Sequence, residues 1–259
     1  MLVKKKIACM VLDVKSDTIR FIYPTEEVIN SINKNTVQKI VYLSGEIQMF
    51  SVPPAYKQVI GPDDWENVSI TRSAKEVRSF RQVGSVSAQA RGFAGTAVLG
   101  GITGAILNNM SAIKKRTFRK LKMQCAMSGG NLVHVTQLDS ISALYLVIVS
   151  RAAEMAGQGI AYTTSALNAD EFRNKLKAKT SFTCVERIEM STQDNEFTKH
   201  QFDSVFKLSY VISESGLLYA IGKLNDVSAS QFRVTGFTDK YFILMCKVKS
   251  TTYNYIINF

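Results

Sequence analysis

The residue types that most often perform chemistry are few in this chain, and they are scattered. Only two histidines, His134 and His200, occur among 259 residues, and the four cysteines, Cys9, Cys125, Cys184 and Cys246, form no CxxC pair. A zinc or other transition-metal site needs several such ligands at close spacing. Neither a metal site nor a dense disulfide framework is expected, although one or two disulfides stay open on sequence grounds. His134 lies between two valines and reads as a half-buried strand residue, whereas His200 sits in a polar stretch. Glu186 and Glu189 fall on an expected strand at odd spacing, which points them to opposite faces and not at a shared substrate. No Ser-His-Asp context, paired-carboxylate motif or cofactor fingerprint is present. The sequence therefore assigns no catalytic residue, no metal ligand and no cofactor, and reads as non-enzymatic.

One chemistry is concentrated, and it is basic. Lys114, Lys115, Arg116, Arg119, Lys120 and Lys122 fall within nine positions, and no Asp or Glu occurs from Val77 through Leu138. The chain as a whole carries a formal charge of +11. A field of this kind attracts phosphate-rich partners, either lipid headgroups or nucleic acid; a merely solvated helix face is the plainer alternative. A nucleic-acid-binding module using the basic helix 114–122 is the second functional reading. Against it, the cluster lacks interleaved aromatic residues and no known nucleic-acid motif accompanies it.

Immediately before the cluster, residues 92–113 are uncharged, and five glycines lie within 92–107. As a helix this stretch would be about 33 Å long, near the span of a bilayer core. Gly92, Thr96, Gly100 and Gly104 recur every four residues, with Ala97, Gly101 and Ala105 in a neighbouring row. Such small-xxx-small spacing permits close helix–helix approach in a membrane or between copies of the chain. The glycines oppose helix formation in water, and Asn108-Asn109 shortens the apolar part. A packed hairpin or helix, a flexible loop and membrane insertion all remain open. A phosphate-cradling loop does not, because the GxxxxGK[ST] form is missing.

The surrounding pattern predicts the elements that hold these residues. "KIACMVLDV", "TIRFIY" and "VQKIVYLSGEIQMFS" read as strands with turns at "KSD" and Ser44-Gly45. Three of four prolines fall between Pro53 and Pro62, which suggests a linker. Trp65 is expected to pack at the start of the next unit. "QVGSVSAQARG" alternates as a strand. From Lys114 the period becomes helical, with Phe118, Leu121, Cys125 and Ser128 as the inward stripe and Gly129 or Gly130 as the cap. "LVHVTQL", "ALYLVIV" and "GQGIAYTT" read as strands, and Asn168 with Glu171 opens a short helix over 168–177. Residues 179–259 alternate as antiparallel β, with turns at "SESG", "TGFTDK" and "KSTT" and tyrosines suited to cross-strand packing.

"KKKIACMVLDVKSDTIRF" followed by "INKNTVQKIVYLSGEIQMF" resembles the opening module of a family of uncharacterised exported bacterial proteins. "VGSVSAQARG", "RKLKMQCAMSGGNLVHVTQ" and "GIAYTT" are similar to that family's middle domain, which resembles YbjQ-like and RcsF-like envelope domains; the closing "TYNYIINF" is similar to the family's end. The resemblance implies location in the cell envelope or periplasm and brings no catalytic residue. No signal peptide is expected in the chain as given, because no apolar segment follows Lys4–Lys6 before Asp13.

The expected fold class is α+β. A small β module would span 1–52, a proline-containing linker 53–66, a central α+β domain with one main basic helix and a Gly-rich insertion 67–166, and a short helix with an antiparallel β module 167–259. The expected function is non-enzymatic binding or assembly at the envelope or a membrane. The cations 114–122 would meet an anionic surface, and 92–107 would contact a membrane, an envelope protein or another copy.

Overall fold

Strand-forming residues dominate the chain, and in the computed structural model 53% of it is strand and 18% helix. The fold is thus predominantly β, and the α+β expectation holds only in its coarse form. The structure describes residues 6–15, 18–34, 37, 39–50, 56–78, 80–94, 102–141, 151–225 and 227–259. The chain divides into two units, Met1–Ala55 and Tyr56–Phe259.

The first unit is a three-stranded antiparallel meander, β1 (Met10–Val14), β2 (Thr18–Ile22) and β3 (Asn30–Asn33), and a separate hairpin of β4 (Lys39–Val41) and β5 (Ile47–Met49). The hairpin turns at Gly45, whose φ of +85° a side-chain-bearing residue rarely adopts. Its described core is thin, with Ile19, Phe21 and Phe50 buried.

The second unit begins in the stretch expected to be linker. Pro62–Asn67 instead form a 3-10 helix, with Asp64 Oδ2 accepting from the Ile60 amide at 2.8 Å. Proline at the first helical position costs no hydrogen bond, which is why this proline starts an element where a linker was expected. β6 (Ser69–Thr71), α1 (Ala74–Val77), β7 (Arg81–Ala94), α2 (Ile102–Met127), β8 (Leu132–Ile141) and β9 (Arg151–Thr163) follow. The four strands form one sheet in the order β6-β8-β9-β7. α2 lies on it, burying Leu121, Cys125 and Ala126 against Val83, Val86, Ala88, Val133 and Ala161.

The main helix therefore starts at Ile102, not at Lys114. Gly92 lies in β7 and residues 102–113 belong to α2, so 92–113 is not a separate insertion. The "ALYLVIV" segment falls outside the described residues. α2 ends as expected in a glycine cap: Gly129 has φ +66°, Gly130 N donates to Cys125 O and Gly129 N to Ala126 O, both at 2.9 Å. These two bonds are those of a Schellman motif.

After the short helix α3 (Ala169–Leu176), the strands β10 (Ser181–Ser191), β11 (Thr198–Glu214), β12 (Leu217–Leu224), β13 (Gln231–Phe237), β14 (Tyr241–Val248) and β15 (Thr251–Asn258) pair in sequence. β15 returns to β10 and closes a barrel. Asn168 caps α3, its Oδ1 accepting from Asp170 N at 3.0 Å and Glu171 N at 3.1 Å. α3 drops Phe172 into the barrel among Phe182, Phe206, Phe232 and Phe242, all buried. The interior is thus filled with rings.

The expected boundary between a central and a C-terminal domain is absent, since Tyr56–Phe259 is one unit. The reason lies in α2. Its last two turns are covered on both sides, by the sheet and by Ile188 and Met190 of β10, against which Met123 and Met127 pack.

Candidate functional site

The basic cluster separates into two sets with different surroundings. β7 pairs with β9 on one side only, so its other edge presents backbone groups that need partners. α2 runs antiparallel along that edge and supplies them. Arg116 Nη1 donates to Arg91 O at 3.0 Å, Lys120 Nζ donates to Gln89 O at 2.6 Å, and Gln124 Oε1 accepts from Ser87 N at 3.1 Å. Farther along, the Arg233 guanidinium of β13 donates to Val83 O and to Ser128 O.

The spacing explains the fit. Four helical residues rise about 6 Å, and two strand residues advance about 6.6 Å. The row Arg116, Lys120, Gln124 therefore keeps step with Arg91, Gln89, Ser87. A helix side-chain row does here what a fifth strand would do. Backbone carbonyls here take the place of carboxylates as acceptors for Arg116 and Lys120.

Lys120 is only 3% exposed and donates a second bond, to Gln193 O at 2.9 Å. Burial lowers its pKa below the ordinary lysine value, with Asp194 partly opposing the shift. Arg119 is bound to Glu196 at 2.7 Å and lies 5.1 Å from the Trp65 ring centroid. Lys122 reaches Glu66 O at 3.4 Å, and burial lowers its pKa too. Arg119, Lys120 and Lys122 thus join α2 to the barrel side and to the 3-10 helix. This corrects the expectation of six cations on one docking face.

Lys114, Lys115 and Arg116 remain exposed. Beside them is Arg91, whose side chain is 71% exposed and pairs with Glu154 at 3.1 Å. These four cations stand at the end of the sheet where β7 and β9 make their last pairs, Gly92↔Ala153 to Ala94↔Arg151. Among the described residues this is where exposed cations of α2 and β7 meet.

The glycine-stretch residues fare differently. Gly92 is where α2 crosses close to β7: a Cβ there would come within 2.9 Å of the Ile113 side chain. Gly92 thus serves an intrachain contact, not a helix–helix seam. Gly104 and Ala105 lie within α2. Thr96, Ala97, Gly100 and Gly101 fall outside the described residues.

The other chemistry-bearing residues stay apart. His134 is on β8, while His200 Nε2 faces Glu189 Oε1 at 3.4 Å on the barrel, and Glu189 is also 3.3 Å from Arg187 Nε. Among the described residues no three His, Cys, Asp or Glu side chains gather as a metal site. All four cysteines are free, and Cys125, Cys184 and Cys246 are buried. Burial pushes the Cys125 and Cys184 thiols up to about 12, which suppresses the reactive thiolate. No protein-family model, curated protein or solved structure matches the chain.

Sequence reasoning missed the edge-capping row. Its signal was present as the i, i+4, i+8 spacing of Arg116, Lys120 and Gln124 beside the apolar stripe.

Proposed function

We propose that this protein is a non-enzymatic binding or assembly protein that docks on an anionic membrane surface, in the cell envelope as the sequence resemblance implies. The observation that carries the reading is the group of exposed cations, Arg91, Lys114, Lys115 and Arg116, at the end of the sheet. The run 92–113 that joins Arg91 to Lys114 is uncharged, and so is 142–150, which follows β8 in sequence. Cations beside apolar, uncharged chain suit a headgroup region, where each Lys or Arg near an anionic leaflet contributes about 1 kcal/mol. Among the described residues no helix is long and apolar enough to cross a membrane. The mode proposed is peripheral docking through the exposed cations. Contact with an envelope protein, or between copies through 92–107, belongs to the same proposal.

The nucleic-acid reading draws on the same charges but has fewer of them than the sequence suggested. Lys120 is buried and Arg119 is paired, which leaves no continuous basic helix face for a phosphate backbone.

The test is flotation on phosphatidylglycerol-containing and pure phosphatidylcholine vesicles. Lys114→Glu/Lys115→Glu removes two exposed charges that make no hydrogen bond to β7. Intact protein is expected to float only with the anionic vesicles. The double reversal should weaken that binding about 1000-fold, from about 1 kcal/mol lost per removed charge and as much again per introduced one. Equal flotation of both proteins would sink the proposal. Retardation of duplex DNA by the intact protein, with no vesicle binding, would move the assignment to nucleic acid.

A further inference from the structure

Where the four-stranded sheet meets the barrel, a crevice holds a buried cation with no carboxylate beside it among the described residues. Its walls are residues 58–60, Val83, the end of α2 at Ser128–Gly129, the stretch after β9, the β11–β12 turn at Gly216, and β13 from Arg233 to Phe237. Arg233 is the one charged residue among these described lining residues, and it is 9% exposed. Its guanidinium donates to the carbonyls of Val83 and Ser128, two of the five N–H groups that it carries. Carbonyl dipoles satisfy hydrogen bonds without neutralising the charge. A buried charge lacking a counter-ion is one of the costliest groups to place in a fold. Burial pulls Arg233 down to about 10, against a usual value above 12.

A second, independent feature lines the same crevice. Thr235 is 6% exposed, and its buried hydroxyl has no hydrogen-bond partner. Buried hydroxyls in native proteins nearly always have one. The wall around it is bare backbone: a Cβ on Gly129 would sit 2.7 Å from Thr235 O, and one on Gly236 would sit 2.0 Å from Ile60 O. The free space is about 60 Å³, room for a few waters or one small ion and far below the size of an organic-cofactor pocket.

We propose that this crevice is a binding site for one small inorganic oxyanion of the phosphate class, held by the Arg233 guanidinium and the Thr235 hydroxyl. Such an ion supplies the missing negative charge. Its oxygens accept in several directions, which suits a planar guanidinium fork and a hydroxyl whose residues line one crevice. The site lies about 26 Å along β7 from Arg91, counting eight strand residues, so it is distinct from the exposed cations of the sheet end.

The test is thermal unfolding of the full chain in inorganic phosphate against chloride at matched ionic strength, with equilibrium dialysis of labelled phosphate. Phosphate is expected to raise Tm by about 3–6 °C at ten times its Kd and to keep raising it with the logarithm of concentration, dialysis is expected to saturate at one ion per chain, and chloride is expected to leave Tm unchanged. Thr235→Val keeps the shape and removes the orphan hydroxyl. This variant should melt at the same or a higher temperature without phosphate and should bind phosphate about tenfold more weakly. Lys114→Glu/Lys115→Glu should keep the full response. Equal shifts in phosphate and chloride, an undiminished response in Thr235→Val, or loss of the response in Lys114→Glu/Lys115→Glu would each overturn the site.

Discussion

The barrel and the four-stranded sheet solve the same problem in opposite ways. In the barrel, β15 pairs back to β10, so no backbone edge is left over, and the interior is closed by phenylalanines and by Phe172 of α3. The sheet stays open at β7 and is completed by side chains of a helix, Arg116, Lys120 and Gln124, with Arg233 reaching in from the barrel. Closure by backbone asks nothing of the outward-facing residues. Closure by side chains commits polar and charged residues to structure, and it leaves their unused neighbours, Lys114 and Lys115, at the surface. Both proposed binding sites therefore draw on the open sheet, one at its exposed end and one at its junction with the barrel.

The comparison breaks most sharply if the two halves unfold separately. Phe172→Ala removes a fully buried ring that touches Phe237, Phe242 and Phe259. It should cost about 3–5 kcal/mol. Trp65 is the sole tryptophan, and it packs on the sheet side and against Met123, Met127, Ile188 and Met190. It should report the same loss although it is remote from α3. An unchanged Trp65 transition beside a weakened barrel, followed by far-UV circular dichroism, would mean that α2 does not couple the halves.

Lys120 tests whether charge near the sheet is structural or functional. Lys120→Met preserves the aliphatic stem but strands the carbonyls of Gln89 and Gln193, so a loss of about 2 kcal/mol is expected. Binding to anionic vesicles should not change. The reversal of Lys114 and Lys115 should behave in the opposite way, with stability within about 0.5 kcal/mol of the parent. If Lys120→Met weakened vesicle binding as strongly as it weakened the fold, the division of the cluster into two sets would fail.

Much of the barrel is legible in the sequence because its rules are local. "LLYAIGKL" alternates at period two and is buried at alternate positions in β12, and Ser215-Gly216 takes the two positive φ values of a tight hairpin turn. The Asn168 cap and the Gly129 stop are equally local. The start of α2 was not legible, because Gly104 and Asn108-Asn109 argue against helix by propensity. Tertiary packing overrides that preference: Met110 and Ile113 pack with Ala90 and Met155. The fate of the cations was hidden for a different reason. Which lysine is buried depends on backbone carbonyls of β7 some thirty residues away in sequence, and a carbonyl leaves no mark on residue identity. The paired half of the cluster looked the same as the exposed half.

Gly92 gives the smallest and most discriminating effect. Read as part of a small-residue seam, it would be indifferent to folding and sensitive in binding. In the fold it is the point where α2 crosses β7, and a Cβ would stand 2.9 Å from Cγ1 and Cδ1 of Ile113. Its φ is not in the left-handed region, so alanine meets no backbone strain there, and the expected cost of Gly92→Ala is steric, about 1 kcal/mol. That origin is testable by a double-mutant cycle. In an Ile113→Ala background the obstructing atoms are gone, so the same substitution should cost almost nothing, giving a coupling of about 1 kcal/mol by chemical denaturation. If Gly92→Ala instead left stability untouched in both backgrounds and impaired flotation, Gly92 would belong to the binding surface, and the helix-to-strand contact would not explain the glycine.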